Sequence, residues 1–130
     1  MRILIVEDEE RLAKSLKKAL EKEGFAADYV TNGETGLSRI EICHKDYDLV
    51  ILDLMLPKKD GLQILRDLKV SPPREVNGPI VVLTNLGQEV IIKQSFALGA
   101  SGYLIKSAMN PDQVLQEIRS YLGKDDKSSI

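Results

Sequence analysis

This sequence is poor in long apolar runs, in cysteine and in net charge, and each shortage excludes a class of protein. Its longest uninterrupted apolar runs are four residues, as in Ile3-Leu4-Ile5-Val6, whereas a membrane-spanning helix needs about 20. Membrane insertion is therefore not expected. Glu7-Asp8-Glu9-Glu10 follows the first run too soon for the apolar segment of a signal peptide. Cys43 is the single cysteine, so an internal disulfide is excluded and a reducing cytoplasm is the expected compartment. Lysine and arginine number 18 against 20 acidic residues, a formal net charge of −2. That balance offers no basic footprint, and direct nucleic-acid binding is not expected. What is present suffices for one core: 130 residues, 43% of them hydrophobic and 29% charged, describe a single folded domain rather than a disordered chain.

Short β-rich runs alternate with amphipathic stretches five times, the pattern of an α/β domain with a mostly parallel sheet. Arg2 to Val6, Phe25 to Val30, Leu49 to Asp53, Pro79 to Thr84 and Gly102 to Ile105 read as strands. Leu12, Leu16 and Leu20 mark the inner face of a first helix, with Asp8 as its cap and Gly24 as its stop. Leu37 and Ile40 do the same for a second helix after the Asn32-Gly33 turn. A third carries Leu62, Leu65 and Leu68 between Asp60-Gly61 and Ser71-Pro72-Pro73. Glu89 to Leu98, ended by Gly99, makes the fourth. The fifth opens at Asn110-Pro111, turns Val114, Ile118 and Leu122 inward and is expected to stop at Gly123. The domain is thus expected over residues 1–123, with 124–130 a short polar tail. Five units are too few for an eight-stranded barrel, so an open sheet with helices on both faces follows, and such sheets bind ligands beyond the carboxyl ends of their strands.

Those ends carry Glu7 and Asp8 after the first strand, Asp53 at the third, Thr84 at the fourth and Lys106 after the fifth. Singly, each has an ordinary explanation, such as an N-cap for Asp8 or a β-former for Thr84. Together they place three carboxylates, a hydroxyl and an ammonium around one crevice. Clustered carboxylates repel unless a cation binds them, and an all-oxygen site with few protein ligands suits Mg²⁺ or Mn²⁺. Asp53 ends a buried central strand and is the candidate nucleophile toward phosphorus, with Lys106 neutralising phosphoryl oxygens and Thr84 donating a hydrogen bond to them.

These residues resemble the receiver domains of two-component response regulators, in their single-domain, chemotaxis-receiver-like form. The carriers are Leu4-Ile5-Val6 with Glu7-Asp8, then Asp53-Leu54-Met55-Leu56-Pro57 with Asp60-Gly61, then Leu83-Thr84, Gly99-Ala100 and Tyr103-Leu104-Ile105-Lys106. The resemblance implies a doubly wound, flavodoxin-like (β/α)5 fold with a five-stranded parallel sheet of order 2-1-3-4-5. It implies Asp53 as phosphoacceptor, Asp8 and Asp53 as direct Mg²⁺ ligands with the Met55 backbone carbonyl, and Glu7 acting through water. Lys106 would pair with the phosphoryl group, and Thr84 with Tyr103 would form the switch felt on the fourth helix, fifth strand and fifth helix. The implied partners are a histidine kinase or phosphotransfer protein and a downstream protein target, with the receiver a monomer or a phosphorylation-dependent dimer. Such a protein catalyses its own phosphorylation and dephosphorylation without being a conventional turnover enzyme.

Two positions depart from the family pattern. Asn85 stands where a small residue usually follows the switch threonine, which predicts slower phosphotransfer than with alanine. Ser107 replaces the usual proline after Lys106, and a cis bond before a non-proline residue costs about 2.5–4 kcal/mol, so a trans bond is expected. Tyr103 also fits a plain β-former at the sheet edge, and Met55 fits either loop packing or control of water access to an acyl phosphate. His44 beside Cys43 makes poor ligand geometry. The polar outer side of the last helix, with Gln113, Gln116, Glu117 and Ser120, is a place for a partner. Of the alternatives, a nucleotide or redox flavodoxin-like module lacks a glycine-rich loop after the first strand. A haloacid-dehalogenase-type phosphatase would need an acid where Met55 stands, and a degenerate receiver serving as a phosphorylation-independent docking module remains the alternative.

Overall fold

The computed structural model describes residues 1–43, 47–56, 58–70, 78–85, 88–106 and 111–128. Strands and helices alternate along them: β1 (Arg2–Val6), α1 (Glu10–Lys22), β2 (Ala26–Val30), α2 (Gly33–Cys43), β3 (Leu49–Asp53), α3 (Gly61–Val70), β4 (Ile80–Thr84), α4 (Glu89–Ala97), β5 (Gly102–Ile105) and α5 (Pro111–Ser128). The strands pair in parallel in the order β2-β1-β3-β4-β5. The doubly wound, flavodoxin-like order that the resemblance implies is the one observed.

Side-chain alternation divides the core in two. Ile3, Ile5, Leu49, Ile51, Val81, Leu83 and Leu104 face α1 and α5, where Leu16, Leu20, Val114, Ile118 and Leu122 close over them. Leu4, Val6, Val50, Leu52 and Val82 face the other way, against Ile40, Ile64 and Leu65 of α2 and α3. Because β1 and β3 are covered on both faces, their sequences are apolar without a break. Each fully buried aliphatic side chain contributes about 1.5–3 kcal/mol, so the two central strands anchor whatever their ends carry.

Helix ends follow local chemistry. Gly24 and Gly99 take φ of +92° and +107°, conformations that suit glycine past a helix C-terminus. Asn32 Oδ1 accepts a 2.9 Å bond from the Thr35 amide and so caps α2. Two expectations are corrected. Asp8 is not the cap of α1: Glu9 occupies that position, without a side-chain cap bond, and Asp8 is drawn toward its carboxylate neighbours instead. Gly123 does not stop α5, whose backbone runs on to Ser128; a glycine within a helix costs only about 1 kcal/mol and marks an end only where the chain must turn. The Lys106–Ser107 bond, Asn110, His44 and the connection over 71–77 lie outside the described residues. Among the described residues no helix is long and apolar enough to cross a membrane.

Candidate functional site

The β1–β3 pairing sets Val6 beside Leu52, so the next residues along, Glu7 just past β1 and Asp53 at the end of β3, continue side by side at the sheet's carboxyl end. Both fall in the alternation that faces α1 and α5, and both are buried, Glu7 completely. Asp8 lies next to them and is exposed, and carboxylate oxygens of Glu7, Asp8 and Asp53 come within 4.8 Å of one another. Lys106, just past β5, reaches across β4 to this cluster. Its Nζ donates a 2.7 Å hydrogen bond to Asp53 Oδ2 and lies 2.8 Å from Glu7 Oε1.

The remaining carboxylate oxygens are held by backbone. Asp53 Oδ1 accepts a 3.0 Å bond from the Met55 amide, and Glu7 Oε2 accepts a 2.9 Å bond from the Glu9 amide. The turn that brings Met55 back is tight: Gly61 donates to the Leu54 carbonyl, and Lys58 takes φ +68°, an uncommon conformation for a residue other than glycine. Gly61 has no spare room, since a Cβ there would stand 2.5 Å from the Asp53 carbonyl oxygen.

Three carboxyls against one ammonium leave the site short of positive charge. Burial pushes Glu7 up to about 7, against the opposing pull of Lys106 and the Glu9 amide. Burial likewise raises Asp53, with Lys106 and the Met55 amide offsetting part of it. Burial also acts to raise Asp8, but its bonds with Glu7 and Asp53 and the Lys106 charge outweigh that effect and hold it below the usual aspartate value. Lys106 is lowered by burial and raised more strongly by its two carboxylate partners. Glu7 Oε1 is buried and accepts no hydrogen bond, its contact with Lys106 being a charge contact of poor angle. A buried oxygen without a hydrogen bond, in an all-oxygen donor set open to solvent at Asp8, fits a hard divalent cation.

Thr84 is placed differently. It is fully buried, and alternation along β4 sets it with Val82, on the face away from Asp53. Its hydroxyl donates a 2.5 Å bond to Gln88 Oε1, the residue at the start of α4, and the Asn85 amide donates to the same oxygen at 3.2 Å. Gln88 was not singled out by its position in the sequence, because nothing in a Thr-x-x-x-Gln spacing across a loop announces a bond. Tyr103 is 45% exposed and packs edge-on against Phe96, ring centroids 6.1 Å apart at 85°. The two rings border a cavity of about 460 Å³ that Glu117 and Tyr121 also line.

With this geometry in hand, comparison with known proteins is decisive. A profile of the response regulator receiver domain matches residues 3–119. The chain belongs to that family. Receiver-containing relatives include the transcriptional regulatory protein ResD of Bacillus subtilis, 31% identical over 128 residues that are 98% of this chain and 50% of that protein. The transcriptional activator protein IrlR of Burkholderia pseudomallei is 42% identical over 109 residues, 82% of this chain and 44% of that protein. The chain thus spans about half the length of the curated relatives it matches. Among solved structures, a CheY-like response regulator receiver domain protein from Methanospirillum hungatei matches with a TM-score of 0.82 at 28% identity, covering 98% of this chain and 97% of that one. The receiver fold and membership of the response regulator receiver family are therefore established for this chain.

Proposed function

We propose that this receiver accepts a phosphoryl group on Asp53 from a phosphohistidine of a histidine kinase or phosphotransfer protein. The observation that carries the proposal is the bridge of Lys106 between Asp53 and Glu7 beside an exposed Asp8, which puts one cation and a cation-demanding carboxylate set around one nucleophile. An Asp53 oxygen attacks phosphorus, the phosphorus–nitrogen bond breaks, and the departing imidazole takes up a proton. Water later attacks the same phosphorus and releases inorganic phosphate, restoring the carboxylate. Lys106, already on Asp53 Oδ2, neutralises the phosphoryl oxygens as charge spreads over them. Asp8 and Asp53, with the Met55 backbone carbonyl, are the residues to hold Mg²⁺ or Mn²⁺ directly, and Glu7 acts through water. The ion supplies charge neutralisation at the phosphoryl oxygens.

Signal output follows from the switch pair Thr84 and Tyr103. When Thr84 bonds the phosphoryl group, its bond to Gln88 is lost and the exposed Tyr103 ring changes its packing on the face of α4, β5 and α5. A downstream protein docks there, or a second receiver does, so the protein is a monomer or a phosphorylation-dependent dimer. The receiver unit of residues 1–123 acts in the cytoplasm and does not itself contact nucleic acid. Relatives of about twice its length are named as transcriptional regulators, so a partner or attached domain that controls transcription is one destination for the signal.

The test is incubation with Mg²⁺ and acetyl phosphate or beryllofluoride, followed by mass spectrometry and NMR on wild type and Asp53→Ala. A phosphoryl mass increment and spectral shifts confined to wild type are expected. No Asp53-dependent change would leave only the phosphorylation-independent docking module.

A further inference from the structure

The bond between Thr84 and Gln88 has a direction that the donor inventory fixes. The Asn85 amide can only donate, so the Gln88 atom it reaches at 3.2 Å is the carboxamide oxygen. Thr84 Oγ1 stands 2.5 Å from that same oxygen, which has no hydrogen, so the threonine must give it its single proton. The other acceptor near that hydroxyl, the Asn85 carbonyl at 3.4 Å, is too distant to compete. A threonine in this state has no proton to offer a phosphoryl oxygen.

We infer that Gln88 is a positioning residue that holds the Thr84 hydroxyl away from the phosphoryl site and so sets the threshold of the switch. The inference rests on the role proposed for Thr84 and adds the competitor for its proton. In the resting receiver one carboxamide oxygen gathers Thr84 and the Asn85 amide, stitching the end of β4 to the start of α4. The Gln88 side chain is free for this because it makes no capping bond to α4. For Thr84 to donate to a phosphoryl oxygen, this bond must break. The phosphorylated state is thereby disfavoured by one part-buried hydrogen bond, net of what replaces it.

The test is beryllofluoride affinity in the presence of Mg²⁺, measured by calorimetry on the whole chain. Gln88→Met keeps the length and replaces the carboxamide oxygen by a thioether sulfur, a far weaker acceptor, and Gln88→Ala, which has no side-chain acceptor, serves as a second variant. Loss of one hydrogen bond corresponds to a gain in affinity of about three- to tenfold. A merely structural role gives a loss of affinity, never a gain. In a Thr84→Val background the same substitutions should change nothing. Unchanged or weaker binding in Gln88→Met, with Thr84→Val still weakening wild type, overturns the inference and leaves the phosphoacceptor role intact. Binding that survives Asp53→Ala overturns the phosphoacceptor role and this inference with it.

Discussion

At the ends of β1 and β3 the functional groups are buried and doubly held: Glu7 and Asp53 each have one oxygen on a backbone amide and the other against Lys106. On the α4–β5 side, Phe96 and Tyr103 are 42% and 45% exposed and pack edge-on against each other. The contrast extends to glycines. A Cβ on Gly61, beside the carboxylates, meets backbone atoms of Asp53 and Leu54, whereas one on Gly102 of β5 meets the Tyr121 side chain. One region is built to keep charges where they are. The other meets its neighbours through side chains, two of them exposed, and Thr84 with Gln88 sits on the border between them. A receiver needs both, since a site that moved would lose its nucleophile geometry and an edge that could not move would transmit nothing.

The sharpest break of this comparison is removal of the shared cation. Lys106→Met leaves two buried carboxyls against one another, and removing one partner of a buried ion pair costs about 3 kcal/mol or more. Urea denaturation at pH 8 without divalent cation should show that loss. At pH 5.5 the loss should shrink, because Glu7 and Asp53 are already raised and take up protons in place of the ammonium. An equal loss at both pH values would mean that Lys106 stabilises by packing alone.

The wild-type protein has a pH dependence of the same origin. The Glu7 carboxyl stands at about 7 in the folded chain against an ordinary 4.5. Between those values the native state holds a proton that the unfolded chain has released. Stability from this group is therefore complete below about 4.5 and is lost as pH rises through about 7, with a slope of at most about 1.4 kcal/mol per pH unit. Raised Asp53 adds in the same direction. Denaturation in EDTA over this window should show falling stability, Glu7→Gln should flatten it, and Mg²⁺ should oppose it. Stability that rises over the window would contradict the cation deficit.

The two glycines give a smaller and more local contrast. Gly61→Ala must displace backbone at 2.5 Å from the Asp53 carbonyl, an overpacking that costs about 1–3 kcal/mol. It should also slow phosphorylation by acetyl phosphate, because the same turn carries the Met55 amide that holds Asp53. Gly102→Ala is expected to cost less than Gly61→Ala, since the atoms it meets belong to the Tyr121 side chain and not to backbone. Comparable losses would erase the distinction between a fixed end and a yielding edge.

How much of this was legible beforehand depends on whether a position's role is carried by period or by direction. The strand Leu49–Asp53 is apolar to its last residue and was bounded correctly, and matched strand ends were enough to gather Glu7, Asp8, Asp53 and Lys106. Asp8 as a cap failed because a short acidic side chain has two possible partners, and the carboxylate cluster competes with the helix amides. Gly123 failed because glycine permits a stop without requiring one. Thr84 ends its strand as expected, but the period of the strand did not announce the bond from its hydroxyl to Gln88. Gln88 carried no periodic signal at all, because its bond joins the end of a strand to the start of a helix and belongs to neither period.

Asn85 offers the smallest effect and isolates a side chain from its backbone. Its amide is committed to Gln88, while its side chain is exposed at the mouth of the crevice, one residue past the switch threonine. Asn85→Ala keeps the amide and so leaves the Thr84–Gln88 bond in place, removing only bulk and polarity near the phosphodonor's path. Phosphorylation by acetyl phosphate should be faster by a small factor, about two- to fivefold, equivalent to roughly 0.4–1 kcal/mol in the barrier. Stability should be unchanged, as is usual for an exposed substitution away from caps and pairs. Equal rates would show that the mouth of the site is not limiting and that control of the reaction lies wholly with the buried groups behind it.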